Sequence, residues 1–381
     1  MKSIITGYVS DNDEVKACEE LAIKINAKEA KLNMIFCSRN YDKNKLSEAF
    51  QHYFGPQTIG CSTAGEISEV GFTDHGLVGM SLQGDEFEVD LITITNLKDR
   101  DENIILDIKQ QFQNIQLKHR TLLKEGKTFG ILLIDGLSVK EEEFVSLIDG
   151  ALKGLPVIGG SASDQLKFES TLVYANGELR ENAATLAIVT TTLPFEIFKV
   201  QHFRETEDKF VITSATPQTR TVEEIEGIPA ARFYAEKLGL KVSDLNPQVF
   251  SNYPVMLKIG EDYYVRSIQK MNPDLSLTFY CAIDNGLVLR LGSLRSIYES
   301  STELFDQLEK VLKGDKFCLG FECVLRRLEI MQLPPEDKER IINLYKKNQM
   351  VGFHTFGEQL GGVHINQTLT GVAFGTKRNQ D

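Results

Sequence analysis

No Cys-x-x-Cys pair occurs among the six cysteines, Cys18, Cys37, Cys61, Cys281, Cys318 and Cys323. That leaves zinc ribbons, dithiol redox chemistry and covalent c-type haem attachment without support, and reduced buried thiols in a cytoplasmic protein as the expectation. Positive charge is not in excess: 42 Lys and Arg stand against 54 Asp and Glu, a net charge of −12. Sequence-independent binding to nucleic acid or an anionic membrane needs the opposite sign, so neither partner is expected. No apolar run approaches the roughly 18 residues of a membrane span. Met1 to Gly7 holds only a brief apolar stretch ahead of Asp11 and Asp13, so no signal peptide is expected. Gly-x-Ser-x-Gly is absent, and no Gly-Lys-Ser/Thr follows Gly159, so the hydrolase elbow and the Walker loop both fail. No helix opens at Gly159-Gly160-Ser161, so the Rossmann pattern fails as well. His52, His75, His119, His202, His354 and His364 show no helical ligand spacing, which leaves a multi-histidine zinc site unsupported.

What the chain does contain is a repeated stretch of small residues. Ile59-Gly-Cys-Ser-Thr-Ala-Gly-Glu-Ile67 is followed 99 positions on by Ile158-Gly-Gly-Ser-Ala-Ser-Asp164. A third copy, 292 positions after Gly60, is Gly352-Phe-His-Thr-Phe-Gly-Glu358. Small residues let one backbone approach another, or a ligand, closely. At the offset of 99, Leu32 to Phe36 fall on Ile131 to Asp135; at 292, Leu77 and Gly79 fall on Leu369 and Gly371. Each copy reads as strand, helix, small-residue strand and return strand, a self-similarity that takes precedence over local assignment.

Strands alternate with helices, yet hairpin signals such as Asn176-Gly177 and Asn285-Gly286 are frequent. The expected fold class is therefore α/β, with mixed or mostly antiparallel sheets flanked by helices and internal αβ repeats. The repeats allow two similar sheets face to face. With 42% hydrophobic residues the chain can bury two cores, and polar residues cluster near Pro217 to Glu226. Two domains follow, 1–222 and 223–381. Expected helices include Asp101 to Leu117, Lys140 to Lys153 and Thr302 to Leu312; Arg204 to Lys209 reads as a polar turn, and Thr376 to Asp381 as a frayed tail.

Two chemistries can be read from single residues. Cys61-Ser62 in a tight turn suggests a nucleophile with His75 as base, but the second copy has Gly160-Ser161 and no histidine in its following strand pair. His202 lies in Phe195-Glu-Ile-Phe-Lys-Val-Gln-His-Phe203, where alternation puts Phe198, Val200 and His202 on one strand face. An imidazole among large apolar groups suits a haem ligand; a hydrogen-bonded strand histidine is the bland reading.

Gly60 to Glu66, Val157 to Asp164, Cys323-Val-Leu-Arg326, Gly352 to Glu358 and Asn366-Gln-Thr-Leu-Thr370, in this order, resemble the FIST family of sensory proteins over FIST_N and FIST_C. The resemblance implies a cytoplasmic sensor and not an enzyme. Gln201-His202-Phe203, ahead of Val211-Ile-Thr213, further resembles a branch of nitric oxide-sensing haem proteins (NosP-like). That branch implies haem b held by His202 as the metal ligand, with Phe203 beside it and His354 as the alternative ligand. Arg266 or Arg326 would pair with the propionates, and Glu66 and Glu358 would line the pocket. The implied partners are a separate histidine kinase or a cyclic-di-GMP enzyme, and a homodimer is among the implied assemblies. The rival reading is a FIST module for an amino-acid-like metabolite, without haem. There, the same groups hold the ligand's carboxylate and ammonium, or Glu66 and Glu358 are structural and satisfy backbone amides or arginines. A purely structural adaptor is a third class.

Overall fold

The computed structural model describes residues 3–98, 102–118, 120–152 and 154–378. The fold is mixed α/β, and the repeat builds three sheets rather than two. In the first copy, strands Ile4–Val9, Leu77–Gln83, Ala30–Ser38 and Thr58–Thr63 lie side by side in that order. The second copy orders Phe87–Thr95, Ala183–Thr191, Thr128–Ile134 and Val157–Ser161 in the same way. The third has Phe195–Gln201, Thr368–Arg378, Leu312–Cys323 and Met350–Thr355. The last strand of each set carries the small-residue signature and runs parallel to its neighbour; the other pairs are antiparallel. A parallel step needs a crossover, supplied by helices Lys43–Tyr53, Glu141–Leu152 and Pro335–Lys347.

Each sheet is finished by a hairpin from another copy. Glu66–Ser68 and Gly71–Thr73, which follow the first signature strand, pair onto the third. Glu358–Leu360 and Val363–Ile365 follow the third and pair onto the second. Val173–Ala175 and Glu178–Arg180 follow the second and pair onto the first. The exchange closes a ring, and the three inner faces share one core that includes Phe36, Phe129, Phe321, Phe353 and Phe374. Helices cover the outer faces: Glu14–Lys24 with Lys43–Tyr53, Glu102–Lys118 with Glu141–Leu152, and Ile297–Val311 with Pro335–Lys347. Strands such as Leu77–Gln83 and Thr128–Ile134 are buried along their whole length, so they read as continuous runs and not as alternation.

The register explains the signature glycines. Gly60, Gly159 and Gly352 stand opposite Ile35, Leu132 and Gly320 on the parallel neighbour. A Cβ there would lie 2.4, 1.9 and 1.8 Å from the carbonyl oxygens of those residues. The same register corrects the alignment of the preceding strand: Ile35 corresponds to Leu132, an offset of 97 and not 99. Gly79 and Gly371 do correspond, opposite Ile35 and Gly320.

Between Gln201 and helix Ile297–Val311 the chain leaves the third sheet to build a fourth, antiparallel one. It runs from Phe203–Thr216 to Val288–Leu294, with a separate core of Phe210, Ile212, Val222, Tyr234, Phe250 and Leu289 beside helix Ala230–Lys237. The expected boundary at 222/223 falls inside strand Thr221–Ile225 of this sheet. The expected polar turn at Arg204 to Lys209 is part of strand Phe203–Thr216, bulged between Glu205 and Lys209. The expected helix ends Asp101 and Lys153, His119 and the last three residues of the expected tail lie outside the described residues. No described helix is long and apolar enough to cross a membrane.

Candidate functional site

The three signature strands meet at their carboxyl ends. Ala64 N–H donates to His354 O at 3.1 Å, Ser163 N–H to Ser62 O at 3.0 Å, and Ser161 N–H to Gly357 O at 2.8 Å. In copies one and three the turn that follows is locked alike. Thr63 Oγ1 donates to Glu66 Oε1 at 2.6 Å, and Thr73 Oγ1 to Glu66 Oε2 at 3.0 Å. Thr355 donates to Glu358, and Thr368 donates to the same carboxyl from Oγ1 at 2.7 Å and from its amide at 3.1 Å. Glu66 and Glu358 are both fully buried and act as hairpin staples, on threonine hydroxyls rather than arginines.

Burial pushes Glu66 up to about 7 and Glu358 up to about 8. The native state therefore keeps protons that the unfolded chain releases above the ordinary glutamate range. Stability is lost as pH rises from about 4.5 through about 8, on the order of a few kcal/mol for Glu358. Glu358→Gln removes this slope. Its melting temperature is expected to fall less than wild type between pH 6 and 9; superimposable pH curves would refute the staple. Buried His364, pushed down to about 4, acts oppositely and costs stability as pH falls below 6.5.

The second copy breaks the pattern. Ala162 and Gln165 occupy the threonine and glutamate positions, and the hairpin begins fourteen residues after Gly159 instead of six after Gly60 or Gly352. The extra chain, 164–170, is held by the Asp164 carboxylate, which accepts from the amides of Phe168, Glu169 and Ser170 at 3.0, 2.7 and 3.1 Å. Gln165, Leu166 and Phe168 have φ of 59°, 66° and 56°, and facing Val139 has 60°. Left-handed backbone at non-glycine residues, and at a β-branched one especially, is costly and concentrates at ligand sites.

This loop walls two cavities. One, of ≈ 130 Å³, is lined by residues including Gly136, Val139, Phe168, Arg220, Tyr280 and Phe356. Phe168 and Phe356 stack at 5.0 Å, with Tyr280 at 6.0 Å from the former. Arg220 donates to Tyr280 O at 2.6 Å, Glu141 at 2.5 Å and Glu142 at 2.6 Å. The other cavity, of ≈ 420 Å³, lies between Ala64, Gln165, Leu166, Val324, Arg327 and Leu328. Both open at carboxyl ends of parallel strands, where α/β sheets commonly bind ligands.

The residues expected to hold haem b do not fit it. His202 is fully buried with Phe198 and Val200 but spends both ring nitrogens. Nδ1 accepts from Arg326 Nη1 at 2.8 Å, which puts the ring proton on Nε2, 2.7 Å from Glu329 Oε2. Neither nitrogen offers iron a lone pair. Arg326 is fully buried and committed to Glu322, Ser301 and His202, not to a propionate. Phe203 packs on the His202 ring at 4.2 Å and beside Met256 and Val265. His354 is enclosed, with Nδ1 3.4 Å from Glu322 and Phe72 edge-on at 4.8 Å. Arg266 lies elsewhere, 3.9 Å from Glu142. Among the described residues no group of three or more His, Cys, Asp or Glu could hold a metal. Cys61 sits inside a buried strand and not a turn, with its thiol pushed well up by burial, which speaks further against the nucleophile already disfavoured by the sequence.

The cavity residues Phe168, Arg220, Tyr280 and Phe356, and the acids Glu141 and Glu142, were not singled out from sequence. The signal that points to them is negative: the second copy lacks the Thr-x-x-Glu lock of the other two. Helix Val324–Gln332, which carries Arg326, Arg327 and Glu329, was missed as well; it follows a strand directly and has no side-chain cap.

A model of the FIST N domain matches residues 31–228, and one of the FIST C domain matches 230–360. An uncharacterised protein of Methanocaldococcus jannaschii is 24% identical over 95% of this chain and 76% of its own length. FIST domains are the sensor domains of signalling proteins. The chain belongs to the FIST family.

Proposed function

We propose that the chain senses a compact zwitterion of the amino-acid class, bound in the cavity between Phe168, Tyr280, Phe356 and Arg220. The supporting observation is the break in the repeat: the copy that abandons the hairpin lock spends left-handed backbone to shape this wall. At ≈ 130 Å³ the cavity is small beside the several hundred Å³ of drug-sized sites, and suits a few heavy atoms. Aromatic faces receive an apolar portion, and the Arg220 guanidinium in the lining offers a positive charge to an ionic end. Haem b and nitric oxide are not proposed, because His202 has no free nitrogen. The signal would pass to a separate protein, a histidine kinase or a cyclic-di-GMP enzyme, through strain released or stored in 164–170.

The test is a melting-temperature panel of the proteinogenic amino acids. A ligand at a hundred times its Kd stabilises by about 2.7 kcal/mol, a rise of a few °C. One member or a related group is expected to raise the melting point of wild type and not of Phe168→Ser. No shift with any member would overturn the reading.

A further inference from the structure

We propose a buried binding site for a singly charged anionic acceptor, of carboxylate or halide type, formed by Arg266, His364 and Asn366 around Gly357. The three side chains are 6%, 1% and 1% exposed, and each carries a donor with no partner. Arg266 uses Nη1 on His364 O at 3.3 Å and leaves Nε free. His364 Nδ1 faces the Gln359 amide nitrogen at 3.3 Å. That nitrogen only donates, so Nδ1 accepts and the ring proton is on Nε2, which is unpaired. Asn366 Oδ1 accepts from Ser267 N–H at 3.4 Å, which fixes the amide and turns an unpaired Nδ2 the other way.

Two of these donors belong to one place. A Cβ on Gly357 would lie 2.4 Å from His364 Nε2 and 3.1 Å from Asn366 Nδ2, so both face the same bare backbone. Arg266 is tied to the pair through His364 O and, by its neighbour Ser267, through Asn366. Buried donors gathered without an acceptor are rare in folded proteins and call for one. Unpaired Gln359 Oε1 does not answer them, because it lies toward Gly159, 2.9 Å from where a Cβ would stand there. The local charge permits an anion. Arg220 is engaged by Glu141 and Glu142, whereas Arg266 reaches Glu142 only at 3.9 Å. Burial raises the Glu141 carboxyl, which tilts the local balance toward the two arginines. Phe356, the preceding residue, lines the ≈ 130 Å³ cavity, so Gly357 follows directly on its wall. Where the occupant is the carboxylate of a ligand bound in that cavity, the inference rests on the sensor reading; a free anion would occupy the site without it.

Crystals of the full chain soaked in sodium bromide test it. The expected result is an anomalous peak within about 3.5 Å of Arg266 Nε and of His364 Nε2 or Asn366 Nδ2, a hydrogen-bond distance to a large anion. In solution, bromide and formate should each raise the wild-type melting point by about 2 °C over sulfate at equal ionic strength, and neither should do so for Arg266→Met. Competition between bromide and an amino acid that stabilises the protein would identify the sensed carboxylate as the occupant. Independent binding would identify a free-anion site. Water in place of bromide, together with equal melting points in the three salts, overturns the proposal. The two readings part cleanly: bromide can bind while the whole amino-acid panel is silent, and an amino acid can stabilise a chain that ignores bromide.

Discussion

Gly159→Ala is expected to cost ~3 kcal/mol or more and to leave little folded protein. The added methyl would sit 1.9 Å from Leu132 O and 2.8 Å from Leu132 C. Both atoms belong to a strand held in register from Gly130 to Ile134, so neither can retreat as a flexible side chain would. Overpacking a rigid core costs about 1–3 kcal/mol even where side chains can adjust, and here backbone must move. Against a total stability of 5–15 kcal/mol that is a large share. Urea denaturation of the variant is the measurement, with Gly150→Ala as control. Gly150 lies in helix Glu141–Leu152 with nothing near its would-be Cβ, so alanine there should stabilise by up to about 1 kcal/mol. Equal midpoints for the two variants would show that close backbone approach is not why the motif has glycine.

Arg326→Leu should be nearly as damaging, for an electrostatic reason. Its guanidinium is fully buried and bonded at 2.9 Å to Glu322, 2.6 Å to Ser301 and 2.8 Å to His202. Tyr345 adds a hydroxyl to the same Glu322 oxygen at 2.6 Å. Removing the cation leaves Glu322 and the His202–Glu329 pair without their shared counterpart. Breaking a buried pair from one side typically costs 3–5 kcal/mol, whereas replacing both partners by apolar groups can be close to neutral. The double variant Arg326→Leu/Glu322→Leu is therefore expected to be more stable than Arg326→Leu alone. A loss below 1 kcal/mol for the single variant would mean that the network is solvated and its burial misjudged.

These two residues show unequally well how far the sequence can be read. Gly159 was visible as a motif because the constraint is local: a parallel neighbour one strand away forbids a Cβ, and the same geometry recurs at Gly60 and Gly352. The αβ order of each copy was legible for the same reason. His202 was legible only as buried. That both its nitrogens are taken depends on Arg326 and Glu329, more than 120 positions away, on a helix with no cap to announce it. Arg204 to Lys209 read as a turn because most of it faces water, and an exposed strand looks like a turn. The hairpin exchange left no local trace at all, since its partners lie as far apart as Gly352 and Ile67.

That exchange also sets a timetable for synthesis. Thr58–Thr63 emerges from the ribosome with one edge open and stays so until residues 173–175 arrive. The edge of Val157–Ser161 waits for Glu358, and Glu66–Ser68 waits for Met350–Thr355. No sheet of the ring can be completed by the residues of its own copy. The nascent chain must therefore carry bare strand edges through most of translation, and it calls for chaperone shelter out of proportion to its length.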